Sequence, residues 1–96
     1  MKPSAALDAH RAELRQLVSR HGLSYPRVFG SVLNETDSEE SDLDLLVEPS
    51  ESTTLLTLAG LQVEAERLLG VPVSVLTPNS LPPNFRNKVL QQAEAL

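Results

Sequence analysis

The stretch GSVLNETDSEESDLDLLV, residues 30–47, decides how this chain is read. It sets a Gly-Ser pair ahead of an Asp-x-Asp, and the second Asp interrupts an apolar run. Leu43 to Val47 is apolar apart from Asp44, which predicts a short strand buried on both faces. Residues two apart on a strand point to the same side, so Asp42 and Asp44 project together. Two like charges held that close repel unless something positive lies between them. A carboxylate inside such a run needs a reason, because burying one unpaired costs on the order of several kcal/mol.

Mg²⁺ is the natural counter-charge, since it takes carboxylate oxygens together with substrate phosphates and keeps several waters. A pair of carboxylates can hold the ions that stabilise attacking and leaving oxygens in phosphoryl transfer. Gly30 closes the preceding strand, and its missing Cβ lets a triphosphate approach the backbone. Ser31 then opens a short helix or turn, offering hydroxyl and amide to an anion. A plainer reading stands beside this one: Gly-Ser is a common turn, and an Asp at the mouth of a strand is often merely solvated.

Outward from this segment, Ser4 is placed to cap a helix over about residues 4–21, with Leu7, Leu14, Leu17 and Val18 on one stripe and Gly22 ending it. YPRVFG, residues 25–30, reads as a strand with Pro26 confined to its start. Asn34 to Ser41 has no apolar residue and reads as a loop. A second long helix is expected from Thr53 to Leu69 on Leu55, Leu58, Leu61, Val63, Ala65, Leu68 and Leu69, closed by Gly70. VPVSVLTP, residues 71–78, gives a third strand, and a last helix starts at Pro82-Pro83 with the stripe Phe85, Val89, Ala93 and Leu96 facing the core. This alternation predicts an α/β (α+β) fold: one domain over residues 1–96, a core over about 25–96, and about three strands under packed helices.

Composition narrows the function classes. Aromatics are only 3% of the chain, so the core must be Leu, Val and Ala. The net charge of −5, with no basic run, argues against direct nucleic-acid binding, which needs a concentrated Lys/Arg footprint. A nucleotide site survives this argument because bound cations supply positive charge locally. Absence of Cys excludes disulfides and thiolate metal sites. No apolar stretch approaches the ~20 residues of a membrane span, and no signal-peptide core opens the chain, so a cytoplasmic address is expected.

FGSV…SDLDLLVE, followed by a helix and LGVPVSVLTPNSL, resembles the minimal nucleotidyltransferases of the DNA polymerase β superfamily, from about Arg27 onward. The resemblance implies a polymerase-β-like core with a mixed sheet. It also implies Mg²⁺-dependent transfer of a nucleoside monophosphate, AMP from ATP, to a hydroxyl. In the antitoxin branch of that family the acceptor is a tyrosine of an HEPN-domain toxin, which implies a protein partner and a homo- or hetero-oligomer. Carried onto this sequence, Gly30 and Ser31 match the nucleotide-binding pair, and Asp42 and Asp44 match the catalytic, metal-binding carboxylates. The family's third carboxylate, in a pattern resembling VDLVTP, falls on Ser74 of VSVLTP. A serine hydroxyl of ordinary pKa is a poor general base near neutrality. Relatives commonly continue the Gly-Ser pair as Ala-Arg-Gly, where this chain has Val32-Leu33-Asn34-Glu35. Two expectations follow: an adenylylating antitoxin, or a catalytically inactive module that neutralises or positions its partner.

The remaining polar residues carry weaker signals. His10 and His21 stand roughly 16 Å apart along a helix at ~1.5 Å per residue, too far to share a metal, and His21 suits the helix C-terminus. Glu35, Asp37, Glu39 and Glu40 read as a solvated loop. Glu48 lies roughly 13 Å beyond Asp44 along an extended strand, too far to replace the third carboxylate. Glu64, Arg86 and Lys88 read as exposed positions.

Overall fold

The computed structural model describes residues 1–96 as helix α1 (Pro3–Arg20), strand β1 (Ser24–Phe29), strand β2 (Leu43–Glu48), helix α2 (Leu55–Leu69), strand β3 (Val73–Leu76), helix α3 (Pro83–Gln92) and strand β4 (Glu94–Ala95). A 3-10 turn at Pro78–Ser80 links β3 to α3. The four strands form one mixed sheet in the order β3-β2-β1-β4. β2 runs parallel to β3 and antiparallel to β1, with α2 as the crossover between the parallel pair. No helix is long and apolar enough to cross a membrane.

Alternation along β2 divides the sheet into two faces. Leu43, Leu45 and Val47 join Leu7, Leu14, Leu17 and Val18 of α1 and Leu61, Ala65 and Leu69 of α2 in one buried cluster. Each fully buried Leu of this set contributes roughly 1.5–3 kcal/mol relative to an exposed one. Asp44, Leu46 and Glu48 point the other way. Leu46 is fully buried yet stands outside that cluster, where the 3-10 turn meets β2 and Leu81 is buried.

α1 starts two residues earlier than the cap assignment to Ser4 requires. Lys2 is the N-cap residue and donates no side-chain cap, Pro3 fills the first turn, and Ser4 lies inside the helix. A proline with fixed φ and no N–H to satisfy explains why the helix begins there. In α2, Thr54 and Thr57 exchange reciprocal hydrogen bonds as a capping box, and Gly70 (φ 71°) ends the helix. The apolar stripe of α2 is narrower than its Leu count suggested. Leu55 is 85% exposed and Val63 is 47% exposed, so only Leu61, Ala65 and Leu69 form the fully buried face.

The C-terminal segment departs most from expectation. α3 buries no residue and Phe85 is 43% exposed, so of the stripe only Leu96, beyond the helix, packs against the core. The helix ends at Gln92 and Ala93 turns extended, letting Glu94 and Ala95 pair with Val28 and Arg27 as a fourth strand. Leu96 N–H then donates to Pro26 O (3.0 Å). The free backbone groups along the edge of β1 explain the change, since pairing them is worth more than another helical turn on an exposed face.

Candidate active site

Asp44 is the second residue of β2, in register with Phe29 of β1 on one side and Ser74 of β3 on the other. Asp42, just before the strand, is exposed, while Asp44 is half-buried. No ion pair engages either carboxylate. Burial pushes the Asp44 carboxyl above the usual carboxylate range, and the Asp42 charge beside it adds to the effect. This arrangement is poised for a cation and lacks one among its own side chains.

Gly30 meets this pair from the end of β1. Its φ of 78° is left-handed, and a Cβ built there would collide with the Asp44 carboxylate, lying 3.3 Å from Cγ. The missing side chain therefore makes room first for Asp44 itself, bringing the turn and the carboxylate together.

Residues 30–35 are consecutive turns rather than the short helix that the Gly-Ser reading allowed. Asn34 N–H donates to Gly30 O (3.1 Å) and Thr36 N–H to Ser31 O (2.9 Å). The N–H groups of Ser31, Val32 and Leu33 donate to no backbone acceptor. Successive unpaired amides of this kind form a concave anion site. Ser31 is half-exposed, so its hydroxyl and amide are accessible to a ligand.

A divalent cation fits the donor set only in part. No group of three His, Cys, Asp or Glu residues is placed to hold a metal. Ser74, in parallel register with Asp44, stands where a third carboxylate would complete such a group. Asp42 and Asp44 would hold one ion, with water and phosphate oxygens filling its other positions.

The other acidic residues separate clearly. Glu48 is paired with Arg27, which is 5% exposed and stacks over the Tyr25 ring at 4.2 Å, so Glu48 is engaged away from the site. Asp37 is not solvated: it is buried, and its Oδ2 accepts from Ser4 N–H at 3.0 Å. His21 and Glu64, placed by sequence at a helix end and on an exposed face, hydrogen-bond to each other, joining the C-cap of α1 to α2. Sequence gives no signal for these two contacts, whose partners lie 33 and 43 residues apart. Arg86, half-buried, donates to Leu81 O (2.9 Å) and Asn79 O (3.3 Å), pinning the start of α3 to the 3-10 turn.

Comparison with known proteins places this geometry in a family. The family model described as "Polymerase beta, Nucleotidyltransferase" matches residues 13–96. "Putative protein adenylyltransferase MJ0435" of Methanocaldococcus jannaschii is 39% identical over 80% of this chain and 83% of its own length. "Protein adenylyltransferase MntA" of Thermococcus cleftensis is 36% identical over 90% of this chain and 84% of its own. A solved structure described as "putative minimal nucleotidyltransferase" superposes with a TM-score of 0.83 at 43% identity, covering 97% of this chain and 93% of that one. A toxin-antitoxin structure with AMP-PNP shares the fold, with a TM-score of 0.75 at 19% identity over 88% and 69% of the two chains. The chain belongs to the polymerase beta nucleotidyltransferase family.

Proposed function

We propose that this chain is a protein adenylyltransferase acting as the antitoxin of a toxin–antitoxin pair. It transfers AMP from Mg-ATP to a hydroxyl of an HEPN-domain partner. One observation carries the reading: Gly30 packs against the Asp44 carboxylate and leads directly into a turn whose next three amides have no backbone acceptor. In this reading Gly30, Ser31 and the following amides bind the nucleotide phosphates, while Asp42 and Asp44 hold the ion. The bound ion supplies the positive charge that offsets charge on the α-phosphoryl oxygens. The acceptor hydroxyl gives up its proton to solvent water as its oxygen forms a bond to the α-phosphorus, the bond to the β-phosphate oxygen breaks, and pyrophosphate leaves. The names and fold of the relatives support this activity, and the chain acts in the cytoplasm as one unit with its partner.

Ser74 favours a second reading. With a hydroxyl beside Asp44 instead of a carboxylate, the site has no carboxylate beyond the ion-holding pair to take the acceptor's proton. The chain then works as a binding module that neutralises or positions its partner without turnover.

Incubating the chain and an HEPN partner with Mg²⁺ and α-³²P-ATP separates the two. Label on the partner, lost in the Asp42→Asn/Asp44→Asn variant, is the result expected of the enzyme. Label appearing only with Ser74→Asp establishes the binding module. Label that persists in the double Asn variant removes the assignment of the site.

A further inference from the structure

The segment between Ser31 and Asp42 joins the two halves of the site, and it is weakly held from behind. Val32, Leu33, Glu35 and Asp37 line one wall of a cleft of about 450 Å³, whose other walls come from α1 and β4. Val32, at 9% exposed, is the one buried apolar side chain in residues 31–41. The other deep contact is Asp37, whose carboxylate reaches the cleft's far wall and accepts from Ser4 N–H at 3.0 Å. α1 has no acidic residue in its own first turn, so Asp37 supplies the negative charge its N-terminus favours. The adjacent Thr36 donates its N–H to Ser31 O at 2.9 Å. A continuous path therefore runs from α1 through Asp37 and Thr36 to the Ser31 turn.

We propose that Asp37 is a positioning residue for nucleotide binding: tied to Ser4, it holds the turn whose Ser31, Val32 and Leu33 amides face the phosphates. This rests on the reading of the site given above. Asp37 touches neither nucleotide nor metal, so it acts through the geometry of the turn. Its hydrogen bond to Ser4 N–H holds its own carboxyl below the usual range, so it stays charged at neutral pH. Without the tether the turn samples open arrangements, and apparent affinity falls by the fraction of time it is competent.

The test is calorimetric titration of the full chain with Mg-ATP, well below each variant's unfolding temperature. Asp37→Ala is expected to raise Kd roughly tenfold, corresponding to a turn that is competent about a tenth of the time. Asp37→Asn retains an oxygen that can accept from Ser4 N–H without the charge, and is expected to recover part of that loss. Leu14→Ala, which opens the α1 core away from the site, is expected to lower the unfolding temperature and leave Kd unchanged. Wild-type Kd in Asp37→Ala, with wild-type Mg-ATP binding intact, overturns this inference alone. A wild-type chain that binds no Mg-ATP overturns the site assignment and this inference together.

Discussion

Asp44 and Ser74 are parallel-register neighbours on β2 and β3, so the only side chain beside the half-buried carboxylate on that flank is an uncharged hydroxyl. Restoring a carboxylate there has two opposed effects. Like charges on adjacent strands destabilise the metal-free fold, by roughly 0.2–1 kcal/mol for a surface pair. A third carboxylate also gives a charged group that can accept the acceptor's proton, a role typically worth about 10²–10⁴-fold in rate. Ser74→Asp is therefore expected to lower the unfolding temperature without metal and to raise AMP transfer with Mg²⁺ by about that factor. Parallel melting curves and single-turnover labelling check both. Unchanged transfer would mean that two carboxylates already suffice.

Gly30 and Gly70 share almost the same left-handed φ, 78° and 71°, but not the same surroundings. A Cβ at Gly70 meets nothing within 4 Å, whereas at Gly30 it strikes Asp44. Gly70→Ala should thus cost only the conformational penalty, about 1–2 kcal/mol. Gly30→Ala adds overpacking, for roughly 2–5 kcal/mol in all, and should displace Asp44. Urea denaturation of the pair measures the difference. Equal losses would show that Asp44 moves aside freely.

How much of this was legible in the sequence depends on the range of the interaction. β2 announced itself because Asp44 breaks an otherwise apolar run, and α1 and α2 because their stripes end at left-handed glycines. The expectation that Asp42 and Asp44 project together used alternation alone, whereas β2 begins at Leu43 and leaves Asp42 just outside the strand. β4 was hidden: Glu94 and Ala95 carry no period-2 signal, and the stripe through Leu96 reads as helix. The exposure of Phe85 and Leu55 was hidden too, since periodicity defines a face but not what lies against it. Asp37–Ser4 and His21–Glu64 join positions far apart in the chain, and no local pattern encodes such pairs. Family resemblance assigned Ser74 the third-carboxylate position, but that β3 runs parallel to β2 with Ser74 in register with Asp44 was not legible, because strand order has no local signal.

The two perturbed carboxylates should respond to acid with opposite sign. Asp44 is raised above 3.8, so its contribution is fully present below that value and is lost as pH rises through its folded pKa. At neutral pH its charge therefore costs stability, and Asp44→Asn should be more stable than wild type when metal is absent. Asp37 is lowered from 3.8, so its contribution is present above 3.8 and is lost as pH falls through its folded pKa. Asp37→Asn should lose stability at neutral pH and show a shallower acid limb. Unfolding measured from pH 3 to 7, roughly the span over which carboxylates titrate, tests both signs. Added Mg²⁺ should stabilise wild type and leave Asp44→Asn unmoved.

Arg27 is the one buried cation, and Glu48 neutralises it from a half-exposed position. Removing the acid leaves a guanidinium nearly without solvent, held only by Tyr25 O (3.2 Å) and the Tyr25 ring. Glu48→Ala is expected to cost about 2–4 kcal/mol, below the full penalty for breaking a buried pair because Glu48 itself reaches water. Arg27→Met with Glu48→Leu should recover much of that, which a thermal melt of the double variant reads directly. If the double variant is as unstable as the single one, the pair contributes more than mutual neutralisation.

Glu35 takes a φ of 59° in the turn that follows Ser31, a conformation in which an L side chain crowds its own carbonyl. Its N–H donates to Val32 O at 3.4 Å, which keeps the turn closed but does not require a side chain there. Glu35 is exposed and makes no ion pair, so little is lost with the carboxylate. Its charge also sits in the segment to which the proposed function assigns phosphate binding. Glu35→Gly should relieve the strain and stabilise the chain by about 1 kcal/mol, after the entropy that glycine returns to the unfolded state. Removing the repulsion should also tighten Mg-ATP binding, and more at low salt than at physiological ionic strength. Glu35→Gln separates the two effects: it keeps the strain and loses the charge, so it should gain affinity without gaining stability. A stability gain in Glu35→Gln equal to that of Glu35→Gly would assign the whole effect to charge and none to the backbone.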